Sequence, residues 1–186
     1  MDQESRDRDH ADELLAVRCQ LGERAAFDEL AQRWALPLRR YALRLSGDAQ
    51  NADDMTQEIW LAVLQGLPRL RDPAKLRSWL FAIAHRVLMD RLRTQYARPT
   101  APADDSIDEV AVDFDGERAL DQQFVNRGLD LLPVADREVL ILFYLQELSI
   151  NEIAGALCLP LGTIKSRLFR ARGLLRARLS QEESAA

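Results

Sequence analysis

The segment SINEIAGALCLPLGTIKSRLFRARGLLRARL, residues 149–179, decides the fold of the C-terminal part of this chain. Ser149 and Glu152 have the spacing of a capping box, which starts a helix with an apolar face. The run LPLG at 159–162 predicts a turn, after which Thr163 can cap a second helix. Two short helices at this separation are the layout of a DNA-binding helix-turn-helix.

The second helix has two chemically different sides when its residues are placed about 100° apart around the axis. Apolar residues share one side and are expected to face the core: Ile164, Leu168, Ala171 and Leu175. The exposed side is expected to carry four residues, with two arginines on its flanks: Lys165, Ser166, Phe169 and Arg170, then Arg167 and Arg172. From position 165 to position 178 there are six basic residues and no acidic one.

A basic stripe with a phenylalanine in its middle favours a nucleic-acid partner over a solvated surface, which usually mixes both signs of charge. Lys165 and Arg170 have donors suited to guanine edges, and Phe169 is suited to a thymine methyl group. The flanking arginines are better placed for phosphates, which position a protein without reading sequence. The alternative is a basic helix that water alone covers.

Helical periodicity dominates the whole chain, so we expect an all-α fold. The segment 96–117 holds two prolines, one glycine and seven carboxylates, and it is expected to be a flexible acidic linker. It separates two helical domains, at about 10–95 and 118–179, the second of which contains the helix-turn-helix.

Turn-forming residues predict where the helices begin and end. Gly22 is expected to break an opening helix, and Ser46-Gly47-Asp48 to end one helix and cap the next. Asp72 is expected to be the N-cap, with Pro73 at the first position, of a helix that runs to about residue 94. The helices expected in the second domain are 120–131, 136–145, 149–157 and 163–179.

Composition limits the possible classes of protein. The net charge of −5 argues weakly against nucleic acid, but two mildly basic blocks flank the acidic linker. No run of 18 apolar residues indicates a membrane span, and the charged N-terminus lacks a signal peptide, so a cytoplasmic location is expected. Cys19 and Cys158 stand alone and are expected to be small buried side chains without a disulfide.

The amino-acid sequence of the C-terminal domain resembles region four of extracytoplasmic-function sigma factors, a group of the sigma-70 family. The similar stretches are LPxxDREVLxL at 132–142, ELxxxEIA at 147–154 and LPxGTxKSRLxRAR at 159–172. In that family, region four reads the minus-35 promoter element and docks on the flap of the polymerase β subunit. The resemblance implies that Lys165, Ser166, Phe169 and Arg170 enter the major groove.

The first domain resembles region two of the same family, over 26–48, 52–64 and 76–93. One polar face is expected on the helix predicted at 53–65, and the resemblance implies that it grips the coiled coil of the polymerase β′ clamp: Asp54, Gln57, Glu58 and Leu61. The alternative from the residues alone is a solvated acidic face. A metal site built from Asp53, Asp54 and Glu58 is weaker, because no histidine or second carboxylate cluster accompanies them.

The helix after position 72 combines basic side chains with an aromatic one, which suits single-stranded DNA. The resemblance implies that it melts and captures the minus-10 element, and four residues are candidates: Lys75, Trp79, Arg86 and Arg93. Many family members have asparagine where this chain has Arg86, so the bases selected are left open. His85 is expected to be a packing or surface group rather than a pH sensor.

The leading hypothesis is therefore a sigma factor that acts with core RNA polymerase on promoter DNA. It is expected to need no cofactor or metal and to catalyse no reaction. The resemblance implies that the linker threads the RNA-exit channel of the polymerase and that an anti-sigma factor controls the chain. The alternative is a free-standing dimeric helix-turn-helix regulator, which leaves the first domain and the linker unexplained.

Overall fold

The computed structural model describes residues 3–97, 129 and 131–183, and these ranges are helical with no strand. The first unit comprises four helices: α1 Gln3–Gln20, α2 Arg24–Ser46, α3 Ala49–Gly66 and α4 Leu76–Ala97. Two 3₁₀ turns, Leu67–Arg69 and Pro73–Lys75, connect α3 to α4. The second unit comprises three helices: α5 Val134–Leu140, α6 Ile150–Leu157 and α7 Leu161–Glu183. The all-α prediction is confirmed, and none of the described helices has the length and hydrophobicity needed to cross a bilayer.

The ends of the helices in the first unit follow the predicted turn residues in two of three places. Gly22 and Gly47 take the left-handed conformation, with φ of 82° and 72°, which glycine adopts without steric cost. The Asp48 side chain accepts a hydrogen bond from the backbone N–H of Gln50, as expected of an N-cap. Asp72 is the N-cap residue of the 3₁₀ turn before α4, with Pro73 at the first position, but the predicted capping by its side chain is wrong. Its carboxylate makes no capping hydrogen bond and instead lies 3.0 Å from Lys75 Nζ, because a 3₁₀ turn precedes α4.

The capping box of the helix-turn-helix is present, but two predictions about the turn are wrong. Ser149 Oγ accepts from the N–H of Glu152 at 3.2 Å, and Glu152 Oε2 accepts from the N–H of Ser149 at 2.8 Å. Thr163 is not a cap, because α7 begins at Leu161 and the N–H of Thr163 donates to the carbonyl of Pro160. Cys158 is exposed, since it ends α6 in the left-handed conformation with φ of 53°, whereas Cys19 is buried as expected.

Two sequence predictions fall mainly on parts of the chain outside the described residues. These are the acidic linker at 96–117, of which only 96 and 97 are described, and the helix at 120–131, of which only 129 and 131 are described. The helix predicted at 136–145 begins earlier, at Val134, and changes to a π-helical turn over Ile141–Leu145.

The core of the first unit forms where α2, α3 and α4 pack against one another, with α1 lying on α2 and the 3₁₀ turns. Phe81 of α4 is at its centre. The ring of Phe81 meets Trp34 and Tyr41 of α2 edge to face, with centroids 6.1 Å and 5.4 Å apart. Further buried apolar side chains complete this core: Leu15, Leu30, Leu38, Ile59, Val63, Leu76, Leu80 and Leu88.

The second unit buries one face of each of its helices. The apolar positions that the angular analysis assigned to the core of α7 are buried at Ile164, Leu168 and Ala171 and partly buried at Leu175. They pack against α5 and α6. The remaining core comes from these residues: Val139, Leu140, Ile141, Leu142, Ile153 and Leu157.

The two units lie against each other, with α4 packed on α6. Glu138 of α5 is only 2% exposed and projects into the first unit, where its Oε1 accepts from the Tyr41 hydroxyl at 2.5 Å. His85 Nδ1 lies 2.7 Å from the same oxygen, so the ring donates to the carboxylate from Nδ1. His85 is therefore a partly buried packing group at this boundary, which is one of the two roles expected for it.

Three further polar contacts cross the boundary between the units. The Arg137 guanidinium donates to the carbonyl of Arg44 at 3.1 Å, and Arg77 donates to the carbonyl of Gln146. An exposed ion pair joins Arg8 to Glu147 at 3.1 Å. The boundary thus combines apolar packing with a small buried polar network.

Replacing Glu138 with alanine is expected to lower the free energy of unfolding by about 1–3 kcal/mol, because the fully buried Tyr41 hydroxyl then lacks a partner. Urea unfolding of the full chain measures this loss. Glu147→Ala is the matched control, since it removes an exposed carboxylate from the same boundary and should cost at most about 1 kcal/mol. Equal small losses in both variants would show that the buried network does not hold the units together.

Alkaline pH is expected to destabilise the fold through Tyr41. Burial, together with the neighbouring Glu138 carboxylate, holds the pKa of Tyr41 well above its ordinary value of 10.0. Above that pH the unfolded chain releases a proton that the folded chain retains, so the free energy of unfolding falls by up to about 1.4 kcal/mol per pH unit. Urea unfolding between about pH 9 and about pH 11 should give a steeper fall for the wild-type chain than for Tyr41→Phe. Parallel curves would contradict the buried phenol.

Candidate nucleic-acid interface

The helix-turn-helix presents one side of α7 outward. Lys165, Ser166 and Phe169 are exposed, and the Phe169 side chain is the extreme case at 82%. A large aromatic side chain that remains in water loses the free energy that burial would give it, which favours a partner on this surface. Arg170 and Arg172 are also exposed, so five of the six minus-35 candidates lie on the outside of α7.

Arg170 is exposed but already has a partner within the second unit. Its Nε donates to Asp136 Oδ2 at 2.9 Å and its Nη2 donates to Asp136 Oδ1 at 2.6 Å, a side-on bidentate pair. Asp136 belongs to α5 and is 1% exposed. The hydrogen bonds that Arg170 donates to this carboxylate raise the pKa of Arg170 above its ordinary value. Asp136 therefore fixes one edge of the guanidinium that sequence reasoning assigned to a guanine edge.

The two flanking arginines differ from each other. Arg172 places its guanidinium over the rings of Phe143 and Tyr144, 5.5 Å and 5.4 Å from the centroids, which is a cation–π arrangement. Arg167, the sixth candidate, is half-buried. Ser166 Oγ lies 2.9 Å from the carbonyl of Thr163 one turn earlier, so its hydroxyl donates back to the helix.

Sequence reasoning missed the roles of the three consecutive charged residues of α5. Asp136 holds Arg170, Arg137 donates to the backbone of the first unit, and Glu138 is buried beside Tyr41. The signal was the run DRE inside an otherwise apolar helical pattern at 132–142. Buried charges need partners, so such a run indicates contacts in three directions.

The minus-10 candidates lie along α4 and the 3₁₀ turn before it. Lys75 is exposed and pairs with Asp72, and Arg93 is exposed with Asp90 Oδ1 at 3.5 Å. Trp79 is half-buried and packs over Gly66, where a Cβ would lie 3.0 Å from Trp79 Cζ2. Within the described part of the chain, no hydrogen bond or ion pair joins these candidates to one another, and Arg86 is exposed with no ion-pair partner.

The face of α3 proposed for the clamp is largely open to water. Asp54 and Gln57 are exposed, and Leu61 is 59% exposed. Leu64, which sequence reasoning did not assign to this face, is also exposed, one turn beyond Leu61. An apolar centre with a polar rim is the composition of many protein interfaces.

Glu58 is the residue of this face whose side chain is held by an ion pair. It forms a bidentate ion pair with Arg91 of α4, whose Nε donates to Glu58 Oε2 at 3.0 Å. This hydrogen bond lowers the pKa of Glu58 below its ordinary value. Asp53, on the same helix, pairs with Arg39 of α2 at 2.6 Å. Two of the three carboxylates considered as metal ligands thus neutralise arginines, and the described residues contain no group of three or more acidic, histidine or cysteine side chains suited to a metal ion.

Two family models match the chain. The model for sigma-70 region 2 matches residues 20–111, and the model for sigma-70, region 4 matches residues 125–175. The first match contains the α3 and α4 faces, and the second contains the helix-turn-helix.

Similar proteins of known role include the ECF RNA polymerase sigma factor SigM of Mycobacterium tuberculosis. It is 38% identical over 163 residues, which cover 88% of this chain and 81% of the relative. The RNA polymerase sigma-H factor of Pseudomonas aeruginosa is 30% identical over 175 residues, covering 87% of this chain and 90% of the relative.

The fold is shared with solved structures, two of which are the following. The structure of CnrH in complex with the cytosolic domain of CnrY has a TM-score of 0.70 and 27% identity, and the similarity covers 92% of this chain and 98% of that one. The sigma factor RpoE of Bartonella quintana, in complex with the anti-sigma factor NepR, has a TM-score of 0.68 and 26% identity, with 83% and 96% covered. These similarities span both units, which favours a sigma factor over a free-standing helix-turn-helix regulator. The chain belongs to the extracytoplasmic-function (ECF) group of the sigma-70 family of RNA polymerase sigma factors.

Proposed function

We propose that this chain binds core RNA polymerase and directs it to promoters by reading the minus-35 element and melting the minus-10 element. The observation that carries the proposal is the outward side of α7, with Phe169 82% exposed between basic residues, in a chain that also matches sigma-70 region 2. Its contribution is binding and strand separation, with no bond made or broken by its own residues. Because the polymerase works on the chromosome, the expected place of action is the bacterial cytoplasm.

The division of labour follows three segments. Residues 10–95 act as the region-two domain, residues 118–179 as the region-four domain, and residues 96–117 as the acidic linker between them. The linker passes through the RNA-exit channel, where its seven carboxylates substitute for nucleic acid. The second unit also docks on the β flap.

Recognition of the minus-35 element uses α7 in the major groove. Lys165 addresses a guanine edge, Ser166 a base or phosphate, and Phe169 a thymine methyl group. Arg170 supplies directed donors, because Asp136 fixes one edge of its guanidinium. Arg167 and Arg172 contact phosphates on either flank and set the register of the helix in the groove.

Capture of the minus-10 element uses the exposed cations of α4. Arg86 and Arg93 track the backbone of the separated strand, and Lys75 contributes from the 3₁₀ turn. Trp79 is held against Gly66 by packing, so it forms the wall of the site with one face rather than moving freely.

Polymerase binding uses the α3 face with Leu61 and Leu64 as its apolar centre. Asp54, Gln57 and Glu58 surround it and complement a basic helical surface such as the β′ clamp coiled coil. The Arg91 ion pair holds Glu58 in place and so shapes one edge of this face.

The two units must separate for this function. In the structure Tyr41 and Glu138 are 2.5 Å apart, whereas two promoter elements about two DNA turns apart are separated by ~70 Å. The linker at 96–117, with 22 residues, reaches that distance only when it is nearly extended. The packed arrangement is therefore the resting form, and binding to polymerase opens it.

An anti-sigma factor is the expected regulator. Among the structurally similar proteins, the Bartonella quintana sigma factor is bound to the anti-sigma factor NepR. A partner that stabilises the packed units, or that covers the α3 and α7 faces, would keep this chain from polymerase and from DNA.

The two lysines of the chain test the assignment of the two promoter elements. Lys165→Ala should weaken promoter activity by about 1–3 kcal/mol through a lost base contact, and scrambling the minus-35 element should abolish the difference. Lys75→Ala should instead lose its effect when the minus-10 element is scrambled. In-vitro transcription with core polymerase measures both effects on three promoters: one intact, one with a scrambled minus-35 element and one with a scrambled minus-10 element. A Lys165→Ala defect that is the same with and without the minus-35 element would contradict the assignment.

Asp54→Arg tests polymerase binding, and with it the proposed function as a whole. Reversing a charge in the polar rim of the face should abolish association with core polymerase, measured by pull-down and gel filtration, while circular dichroism shows the fold retained. Asp28→Arg, at an exposed position on α2, is the matched control and should bind normally. Normal binding by Asp54→Arg would remove the α3 face from the account.

A further inference from the structure

The contact between Asp136 and Arg170 has a geometry that matters for reading bases. Arg170 uses Nε and one N–H of Nη2 on Asp136, at 2.9 Å and 2.6 Å. A guanidinium has five N–H donors, so three remain, on Nη1 and on the outer side of Nη2. These form a second fork at the end of the side chain, and such a fork matches the O6 and N7 atoms of guanine.

The rigidity of Asp136 is what distinguishes this pair from an ordinary surface ion pair. Its side chain is 1% exposed and sits in the first turn of α5, which packs on α7. An exposed arginine normally loses rotamer entropy when it binds, whereas an arginine held by a fixed carboxylate has already lost it. The direction of the remaining fork is thus set by the protein core.

The charge of Asp136 has a second consequence. An arginine paired with a carboxylate contributes little net positive charge, so it gains less from any phosphate than a free arginine does. Its value lies in directed hydrogen bonds to a base edge, which favours specificity over general affinity for DNA.

We propose that Asp136 is a specificity-determining positioning residue, which orients Arg170 toward a base of the minus-35 element and suppresses its use on phosphates. The proposal rests on the proposed function, since it requires that α7 reads promoter DNA. Asp136 touches no base itself and acts through Arg170.

The experiment compares four full-length proteins with core polymerase: wild type, Asp136→Asn, Arg170→Ala and Glu152→Gln. Transcription is measured on a promoter whose minus-35 bases are substituted one at a time, and binding of each protein alone to promoter-free DNA is measured as well. Glu152→Gln is the matched control, because it removes one negative charge from the second unit while glutamine preserves the capping box.

Asp136→Asn and Arg170→Ala should lose discrimination at the same base position, each by about tenfold. Asp136→Asn should also bind promoter-free DNA several-fold more tightly than the Glu152→Gln control, because Arg170 is then free to contact phosphates. Arg170→Ala should show no such increase. A carboxylate with a merely structural role would not move these two quantities in opposite directions.

The failures are distinguishable. If Arg170→Ala loses discrimination and Asp136→Asn keeps it, the positioning role is overturned and promoter reading by α7 stands. If Arg170→Ala keeps full discrimination, Arg170 does not read a base of the minus-35 element. Both the assignment of the α7 face and the positioning role of Asp136 are then overturned.

A measurement on the unaltered chain covers the case in which Asp136→Asn does not fold. Side-chain ¹⁵N relaxation should show the Arg170 Nε–H bond to be far more ordered than that of Arg86, which is exposed and has no ion-pair partner among the described residues. Equal mobility of the two arginines would overturn the positioning role.

Discussion

Two buried carboxylates, two residues apart on α5, constrain the rest of this structure. A charge removed from water is tolerated only with close partners, so Asp136 and Glu138 each impose a contact. Asp136 accepts hydrogen bonds from Arg170 of α7, and Glu138 accepts hydrogen bonds from Tyr41 and His85 of the first unit. Helix α5 is therefore the element that contacts both α7 and the first unit through buried charges.

The character of the boundary between the units fits a protein that has to open. It combines apolar packing of α4 on α6 with a buried polar network, in which Glu138 is hydrogen-bonded to Tyr41 and arginines donate to backbone carbonyls. If the units part, water can replace each of these hydrogen bonds, so the net free energy lost with them is small. Within each unit, by contrast, large apolar side chains such as Phe81 and Leu168 are fully or almost fully buried. Exposing them to water would lose the free energy of apolar burial, which no contact with water replaces. We therefore expect the proposed opening to separate the units while each keeps its own apolar core.

Much of the local structure could be predicted from the residues alone, because contacts between near neighbours in the sequence determine it. The capping box at Ser149, the left-handed glycines and the buried stripe of α7 depend on contacts within a few residues, and all are present. The errors in the helix starts arose because residue propensities do not specify the geometry of the first helical turn. Asp72 precedes a 3₁₀ turn and its side chain makes no capping hydrogen bond, and the first turn of α7 begins before Thr163. The pairing of Arg170 and the burial of Glu138 depend on tertiary contacts across 34 and 97 positions, which no local pattern encodes.

We propose that α4 and α7 select promoters only when the chain is part of RNA polymerase. Transcription in vitro from a library of random promoters, with core polymerase and the full chain, tests this proposal. The predicted result is a set of enriched promoters with two separate conserved elements about two DNA turns apart (~70 Å), and no sequence-selective binding by the chain alone. Enrichment of a single palindromic site, bound equally well without polymerase, would contradict the claim.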